Sequence, residues 1–278
     1  MPRYDVKDCS QGVNRDLMPQ ELGPGVWSAV KNMRFTKGFA ERIGGIYDQF
    51  DAPSVTPYWL YYYEAATTGY WVHAGLTAVY VDDGTTRTDI TGTAPGGAID
   101  DRWTGGTIGG LLVMNNAFNV PQYWNGNTAT NLATLTGWDT NWRCKSLRVF
   151  KQFIFALNVT KSSTAYPHMV KWSAAALPGA LPTSWDATDE TLEAREVEIA
   201  ETPDPIIDGF QHGDSFIVCK ERSMYRFTFI DGALVFQSQK LPAPTGMMAR
   251  GCFAHTPMGT VILAVGDVVL FDGQTTQS

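Results

Sequence analysis

The stretch VILAVGDVVLFDG, Val261–Gly273, predicts two β-strands joined by a tight turn. Two apolar runs flank Gly266, and the pair Asp272-Gly273 closes the second run. Short apolar runs bounded by Gly and Asp are typical of strands, and Asp-Gly after such a run favours a hairpin turn. The strand Val268–Phe271 should therefore pair with a further strand on the far side of that turn.

The same pattern of strand, polar turn and strand recurs along the chain. Counted from residues 71, 112, 153, 216 and 261, the five segments lie 41, 41, 63 and 45 residues apart. A period of about 40–50 residues is typical of β-propellers, in which each repeat forms one four-stranded blade. The other four segments are YWVHAGLTAVYVDDG (Tyr70–Gly84), LLVMNNAFNVPQYWNG (Leu111–Gly126), FIFALNVTKSSTAYPHMVKWS (Phe153–Ser173) and FIVCKERSMYRFTFIDG (Phe216–Gly232).

A further strand is predicted before each segment, and a polar strand after it. This order gives one inner, two central and one outer strand per blade. The sequence therefore predicts an all-β propeller of about five, or six, blades. The longest interval indicates an insertion at residues 173–202, which are rich first in Pro and then in acidic residues. The predicted inner strands lie within Tyr58–Ala65, Asp101–Ile108, Lys145–Gln152, Asp204–Gly213 and Ala249–Pro257.

The fifth segment leaves an open question, because no obvious outer strand follows it. One hypothesis is that Gly38–Tyr47 supplies this strand, since terminal strands that complete a last blade remove exposed sheet edges. The alternative is that the five segments belong to a larger ring. The predicted organisation is an N-terminal arm with a closing strand at residues 1–50, and a propeller at 51–278.

The composition argues against a protein that grips nucleic-acid phosphates. The formal net charge is -7, and no basic stretch stands out that would form a phosphate-binding face. An acidic balance suits a channel through which DNA slides, although solubility alone also explains it. No apolar run approaches the length of a membrane span. The cysteines Cys9, Cys144, Cys219 and Cys252 lack metal-ligand spacing, so we expect free thiols that are mostly buried.

Several residues were considered for chemistry at the propeller axis. A propeller glycoside hydrolase would need two carboxyl groups there. Some acidic residues near the axis belong to Asp-Gly pairs, however, and such pairs are equally typical of turns. His73, His168, His212 and His255 are scattered, so no metal site is predicted. Exposed Trp side chains could instead bind a glycan, while core packing is the simpler role. We therefore expect no enzyme activity and no cofactor. The acidic candidates are Asp100, Asp101, Asp208, Asp214 and Glu221, and the aromatic ones are Trp124, Trp138, Trp142, Trp172 and Trp185.

The N-terminal stretch GVNRDLMPQELGPGVWSAVKNMRFTKGFAERIGG, Gly12–Gly45, carries a specific motif. Its pattern is G-x-N-x-D, P-x-x-L, W-x-x-x-x-N-x-R-F, G and R-x-G-G. It resembles the start of the tail nozzle, or packaged-DNA stabilisation, proteins of short-tailed bacteriophages. The residues that carry the resemblance are Gly12, Asn14, Asp16, Pro19, Leu22, Trp27, Asn32, Arg34, Phe35, Gly38, Arg42, Gly44 and Gly45.

The resemblance implies a structural virion protein. Proteins of this group are β-propellers that form a ring, expected to be a hexamer, below the portal adaptor and around the DNA exit channel. It implies assembly in the host cytoplasm, contacts with other tail proteins, DNA passage without sequence-specific binding, and no membrane insertion. The chain is shorter than expected of a nozzle, so a tail hub is an alternative position.

Five residues of the motif are the predicted partner interface. Asn14 and Asp16 can bond nearby backbone groups and hold a turn. Arg34 and Arg42 can bind carboxylates through two hydrogen bonds. Trp27 would add apolar area to this interface. The arm could pack on its own propeller or dock on a neighbouring subunit.

Overall fold

The computed structural model describes residues 8–44, 50–230, 232 and 234–277. The chain divides into two compact units, Met1–Asp51 and Ala52–Ser278. The smaller unit contains a short 3-10 helix, Pro19–Glu21, and a hairpin of β1 (Met33–Thr36) and β2 (Phe39–Arg42).

The larger unit is a five-blade β-propeller, as the repeat predicts. Each blade is a four-stranded antiparallel sheet whose strands follow one another in the chain. The first blade contains β3 (Trp59–Glu64), β4 (Gly69–Ala74), β5 (Val79–Asp82) and β6 (Arg87–Asp89), and the second contains β7 (Thr104–Ile108), β8 (Leu111–Asn115), β9 (Gln122–Trp124) and β10 (Ala133–Thr134). The third contains β11 (Trp142–Phe150), β12 (Phe153–Lys161), β13 (Thr164–Trp172) and β14 (Arg195–Glu198). The fourth contains β15 (Ile206–His212), β16 (Ser215–Lys220), β17 (Met224–Phe229) and β18 (Phe236–Lys240), and the fifth contains β19 (Phe253–Thr256), β20 (Gly259–Ala264), β21 (Asp267–Phe271) and β22 (Thr276–Gln277).

The last blade takes its fourth strand from residues directly after the Asp-Gly turn. Leu270 and Phe271 pair with Gln277 and Thr276. The Asp272 carboxylate accepts hydrogen bonds from the backbone N–H groups of the two residues that follow Gly273, at 2.8 and 2.9 Å. Because this tight turn reverses the chain directly, the five residues after Gly273 are enough to include a two-residue strand.

The hypothesis that Gly38–Tyr47 closes the last blade is therefore wrong. The described part of that stretch, β2, pairs with β1 instead, and residues 45–47 lie outside the described residues. Pairing through a local turn closes a much shorter loop than pairing between the two ends of the chain. It therefore costs less conformational entropy.

The predicted insertion is shorter than residues 173–202. Its last part contains β14, which pairs with β13 as the outer strand of the third blade. Residues 173–194 form the long connection between these two strands. The expected insertion extended too far along the chain because the strand Arg195–Glu198 is only four residues long and highly charged, unlike the apolar strands.

The core consists of four clusters of buried apolar side chains, and each cluster lies between two successive blades. The clusters join blades one and two, two and three, three and four, and four and five. Among the described residues no comparable cluster joins the fifth blade to the first. The alternation of strand residues explains the arrangement, since each central strand turns one face to each neighbour.

The antiparallel order of the strands also determines which turns lie at each end of the propeller. Turns after the first and third strands of every blade lie at one end, which we call the turn end. Turns after the second strands, and the connections between blades, lie at the other, which we call the connection end. Within the described ranges, no helix is long and apolar enough to cross a membrane.

Candidate functional site: the propeller axis and the turn end

The inner strands of all five blades surround a cavity of about 490 Å³ on the axis. Its wall combines aromatic rings, backbone at three glycines, and the cationic side chains of Arg148 and Lys151. The lining residues are Tyr61, Gly105, Gly106, Thr107, Arg148, Val149, Lys151, Gly209, Phe210, Gln211, Phe216, Phe253 and His255.

Asp208 is the buried carboxylate of the axis, and its side chain accepts hydrogen bonds from the third blade and from the connection before the fifth. Its Oδ1 accepts from Arg148 Nε at 2.8 Å and from Ser146 Oγ at 2.5 Å, both on β11. Its Oδ2 accepts from Arg148 Nη2 at 2.5 Å and from the Gly251 N–H at 2.8 Å. The side chain is fully buried. A carboxylate with this many donors is satisfied without a ligand.

The pKa of Asp208 lies below its ordinary value. Burial alone would raise it, but the positive charge of Arg148 and the hydrogen bonds from Arg148, Ser146 and Gly251 outweigh that effect. The carboxyl group is therefore ionised at neutral pH. A general acid needs the opposite perturbation, a pKa raised towards neutrality.

Arg250 lies at the connection end of the axis. Its guanidinium donates to three backbone carbonyls: those of Asp100 and Arg102, which precede the inner strand of blade two, and that of Lys145, which lies within the inner strand of blade three. Burial lowers the pKa of Arg250. The contacts tie the connection before blade five to the connection before blade two and to β11 of blade three.

The other acidic candidates do not form a catalytic pair with Asp208. Asp100 and Asp214 are exposed, and Asp101 and Glu221 are partly exposed. Asp101 is 3.9 Å from Lys145, and Asp214 is 3.7 Å from Lys151. Within the described residues, Asp208 is therefore the one buried carboxylate of the five. Asp208 lies inside β15, so its expected place within an inner strand is confirmed and the alternative of a turn is wrong.

Two of the histidines meet at one threonine, and most of the cysteines are buried. His212 and His255 both contact Thr260 Oγ1, at 3.2 and 3.1 Å. Burial lowers the pKa of His255, and the charge of His212 lowers it further. Among the described residues no group of three or more His, Cys, Asp or Glu could hold a metal ion. The four cysteines are free, as predicted, and Cys9, Cys144 and Cys219 are buried.

The tryptophans considered for glycan binding serve mainly in the core. Trp124 and Trp172 are buried within the clusters between blades. Trp138 packs edge-on against Trp142 and Trp185, with ring centroids 6.1 and 4.7 Å apart. The prediction of core packing is confirmed for the four that are buried, and Trp142 is partly exposed.

The structure places the five predicted interface residues within the N-terminal unit. Asn14 Oδ1 accepts hydrogen bonds from the backbone N–H groups of Asp16 and Leu17, at 2.9 and 3.3 Å, so the predicted turn forms. The Asp16 side chain is exposed. The motif's last glycine, Gly45, lies outside the described residues.

Trp27, Arg34 and Arg42 lie on the same small unit. Trp27 packs on Phe35, with ring centroids 6.3 Å apart. Arg34 pairs with Glu41 across the hairpin at 3.0 Å, so its guanidinium already holds a carboxylate. Arg42 is exposed at the end of β2. The unit thus presents charged side chains on a hairpin of fixed geometry.

The turn end of the propeller is acidic, a feature that sequence reasoning missed. Lys151 is the one basic residue in the described turns at this end. The connection end, in contrast, carries both signs of charge. The acidic residues in the described turns of the turn end are Asp83, Asp186, Asp189, Glu190, Glu193, Asp214 and Asp272.

Hydrogen bonds within the turns favour the ionised form of Asp83, Asp186 and Asp272. Hydrogen bonds from the Thr86 and Thr85 N–H groups lower the pKa of Asp83, and equivalent bonds lower the pKa of Asp272. The Thr188 hydroxyl and N–H do the same for the pKa of Asp186. Backbone donors stabilise the ionised form of the carboxyl group. The signal for this feature was the repeated Asp-Gly turn, combined with the strand order that places the turns together.

Comparisons with known proteins add no argument about the role of this chain. No protein-family model and no curated protein matches this sequence. The similar solved structures include YCF48 from Cyanidioschyzon merolae, with 11% identity and a TM-score of 0.46 over 72% of this chain and 64% of that one. A computationally designed protein, Ika8, has 12% identity and a TM-score of 0.46 over 82% of this chain and 61% of that one. Dihydro-heme d1 dehydrogenase NirN has 13% identity and a TM-score of 0.42 over 78% of this chain and 44% of that one.

The chain spans less than two thirds of the length of each of these three structures. With identities of 11–13% and TM-scores below 0.5, the similarities carry no argument about binding or activity.

Proposed function

We propose that this chain is a structural protein of a tailed-bacteriophage virion. It forms a homo-oligomeric ring, a hexamer, as a tail nozzle or hub around the DNA exit channel next to the portal adaptor. Viral DNA passes through this ring without sequence-specific binding. The protein assembles in the host cytoplasm and resides in the tail.

The observation that carries the proposal is the acidic turn end. Seven carboxylates lie in the described turns at one end of the propeller, those of Asp83, Asp186 and Asp272 with lowered pKa values, and Lys151 is the one described basic turn residue there. A wall of fixed negative charge repels the phosphates of DNA, whereas a DNA-gripping surface would need Lys and Arg. Placed towards the channel, this end lets DNA slide without adhering.

The N-terminal unit supports the same proposal. The motif that resembles the start of tail nozzle proteins forms a compact unit in which Asn14 organises a turn and Arg34 is paired within the hairpin. Asp16 and Arg42 remain exposed. We assign this unit the role of binding a neighbouring tail subunit through these charged side chains.

A structural role fits the axis better than the glycoside hydrolase alternative. Such an enzyme needs a second carboxyl group about 5–10 Å from the first, one of them with a raised pKa. Asp208 has a lowered pKa and is bound to Arg148. Of the five acidic candidates, the four others are at least partly exposed.

The experiment that tests the proposal is electron cryomicroscopy of the purified full chain and of particles that contain it. We expect a closed ring whose turn ends face the central channel. A monomeric chain at micromolar concentration, or a ring whose turn ends face outwards, would overturn the proposal. Release of reducing sugar from a panel of bacterial surface polysaccharides would favour the glycosidase alternative instead.

A further inference from the structure

The axial cavity is lined by positive charge and by no negative charge. Arg148 and Lys151 contribute to its wall, and none of the described residues that line it is Asp or Glu. The rest of the wall consists of aromatic rings, glycine backbone, one valine and uncharged polar side chains. At about 490 Å³ the cavity lies within the range of small-molecule sites. It therefore has the size and the charge of a site for a small anion.

The guanidinium of Arg148 keeps hydrogen-bond donors free for a ligand. Its Nε and Nη2 atoms donate to the Asp208 carboxylate, whereas Nη1 has no hydrogen-bond partner among the described residues. The Asp208 side chain is fully buried and does not line the cavity, while that of Arg148 is 17% exposed and does. The ion pair thus turns its positive end towards the cavity.

Lys151 lies where the cavity reaches the turn end, in the turn between β11 and β12. Its Nζ is 3.7 Å from Asp214, whose side chain is fully exposed. Ion pairs between solvent-exposed side chains contribute little free energy. The ammonium group is therefore available to an acceptor inside the cavity, where water competes less.

The wall beside Arg148 suits an apolar group. The rings of Phe210 and Phe253 stack with their centroids 5.0 Å apart. The Arg148 guanidinium carbon lies 5.2 Å from the centroid of the Phe253 ring. Tyr61 and Thr107, whose hydroxyl oxygens are 3.1 Å apart, add polar groups to the same cavity. A ligand ring packed on Phe253 would therefore lie next to the positive charge.

The acidic residues of the turn end surround this site at a distance. Apart from Asp214, they belong to the turns that follow the third strands of their blades, whereas the cavity is bounded by the inner strands. Lys151, in contrast, follows an inner strand. The outer turns repel a polyanion such as DNA, while a small anion of low charge can reach the axis, where the cavity wall is positive.

We propose that the axial cavity binds a small organic anion. Its carboxylate or phosphate group accepts hydrogen bonds from Arg148 Nη1 and Lys151 Nζ, and its apolar part packs on Phe253. Lys and Arg side chains only donate hydrogen bonds, so they match a group that only accepts them. The inference goes beyond the proposed function, because it does not depend on a ring and applies equally to a single copy of the chain.

The test is isothermal titration calorimetry of the full chain with benzoate and with its neutral isostere, benzamide. Benzoate should bind at least about tenfold more tightly, because the amide cannot form charge-assisted hydrogen bonds with both cations. Phenyl phosphate distinguishes the two anionic groups, since tighter binding than benzoate would assign the site to phosphate monoesters and weaker binding to carboxylates. Equal binding of benzoate and benzamide, or no binding of either anion at millimolar concentration, would overturn the proposal.

Two lysine variants locate the site. K151Q should weaken benzoate binding about tenfold, because it removes one of the two cations. K145Q is the matched control, since Lys145 is also a partly exposed lysine of the third blade, 3.9 Å from Asp101, but it lies towards the connection end. This control should bind benzoate like the wild type. An equal loss in both variants would show that net charge alone attracts the anion and would refute the site.

A second measurement needs no variant and so does not depend on the folding of one. Reductive methylation of the wild-type chain, followed by mass spectrometry, reports how accessible each lysine is. Benzoate should slow the methylation of Lys151 and leave that of Lys145 unchanged, while benzamide should protect neither. If benzoate protected both lysines to the same extent, or left Lys151 unprotected, the anion would not occupy the axial cavity and the inference would be wrong.

Discussion

Arg148 and Asp208 lie on the inner strands of successive blades and are joined by two hydrogen bonds, Nε to Oδ1 and Nη2 to Oδ2. The Asp208 side chain is fully buried, and the same carboxylate also binds Ser146 and the backbone of Gly251. One ionised group thus connects blades three, four and five at the axis. Its chemistry governs the stability of the propeller more directly than any surface charge.

Removing this charge should destabilise the propeller. D208N leaves the Arg148 guanidinium buried without its counter-ion, and breaking one side of a buried pair costs about 3–5 kcal/mol. Urea denaturation followed by tryptophan fluorescence measures the change. The control is D214N, which alters an exposed carboxylate 3.7 Å from Lys151. An equal loss in both variants would contradict the structural role of Asp208.

The same carboxylate predicts how stability depends on pH. The pKa of Asp208 is lowered in the folded protein, so its stabilisation is fully present above the ordinary carboxyl pKa of about 3.9 and is lost as the pH falls through the folded value. The free energy of unfolding of the wild type should decrease below about pH 4. D208N should lack this part of the decrease. Parallel slopes in urea midpoints between pH 3 and pH 7 would refute the assignment.

Gly209 should be intolerant of any side chain. A Cβ at this position would lie 2.6 Å from Phe216 Cζ and 2.9 Å from the Ile217 carbonyl oxygen. Overpacking of this kind costs about 1–3 kcal/mol, so G209A should unfold at a lower urea concentration. G23A is the control, because a Cβ there meets no atom within 4 Å. A neutral G209A would mean that β15 and β16 of the fourth blade adjust more easily than these contacts indicate.

Neutralising the turn end should make the protein bind DNA. The quadruple variant D83N, D186N, D189N and D272N retains an amide oxygen that can accept the same turn hydrogen bonds. At 50 mM salt we expect double-stranded DNA to bind at least about tenfold more tightly than to the wild type, since phosphate repulsion is reduced. Fluorescence anisotropy of labelled DNA measures this.

The control for that variant removes the same number of charges from the connection end and from the strand that leads to it. It should leave DNA binding at the wild-type level. Equal gains in the two variants would show that net charge, rather than the placement of charge at the turn end, sets the repulsion. The control substitutions are D139N, E198Q, E201Q and E221Q.

Sequence reasoning predicted the strands well where the pattern is local. Val261–Gly273 and its four counterparts each became the central strands of a blade, because apolar alternation and Asp-Gly turns act within a few residues. It failed at β22, since the two residues Thr276 and Gln277 carry no pattern of their own. It left Asp208 open between an inner strand and a turn, because the partner that determines its role, Arg148, lies 60 residues away in the chain.

The amino-acid sequence by itself determined the fold class, the blade period, the buried free cysteines and the turn around Asn14, since each depends on neighbouring residues or on simple alternation. The tertiary structure alone decided what depends on residues distant in the chain. It set the Arg148–Asp208 pair, gathered the acidic turns at one end, and left Leu60 and Val268 exposed on the two outer blades. The physical reason is that burial and charge pairing depend on which blades become neighbours, and sequence spacing does not specify those contacts.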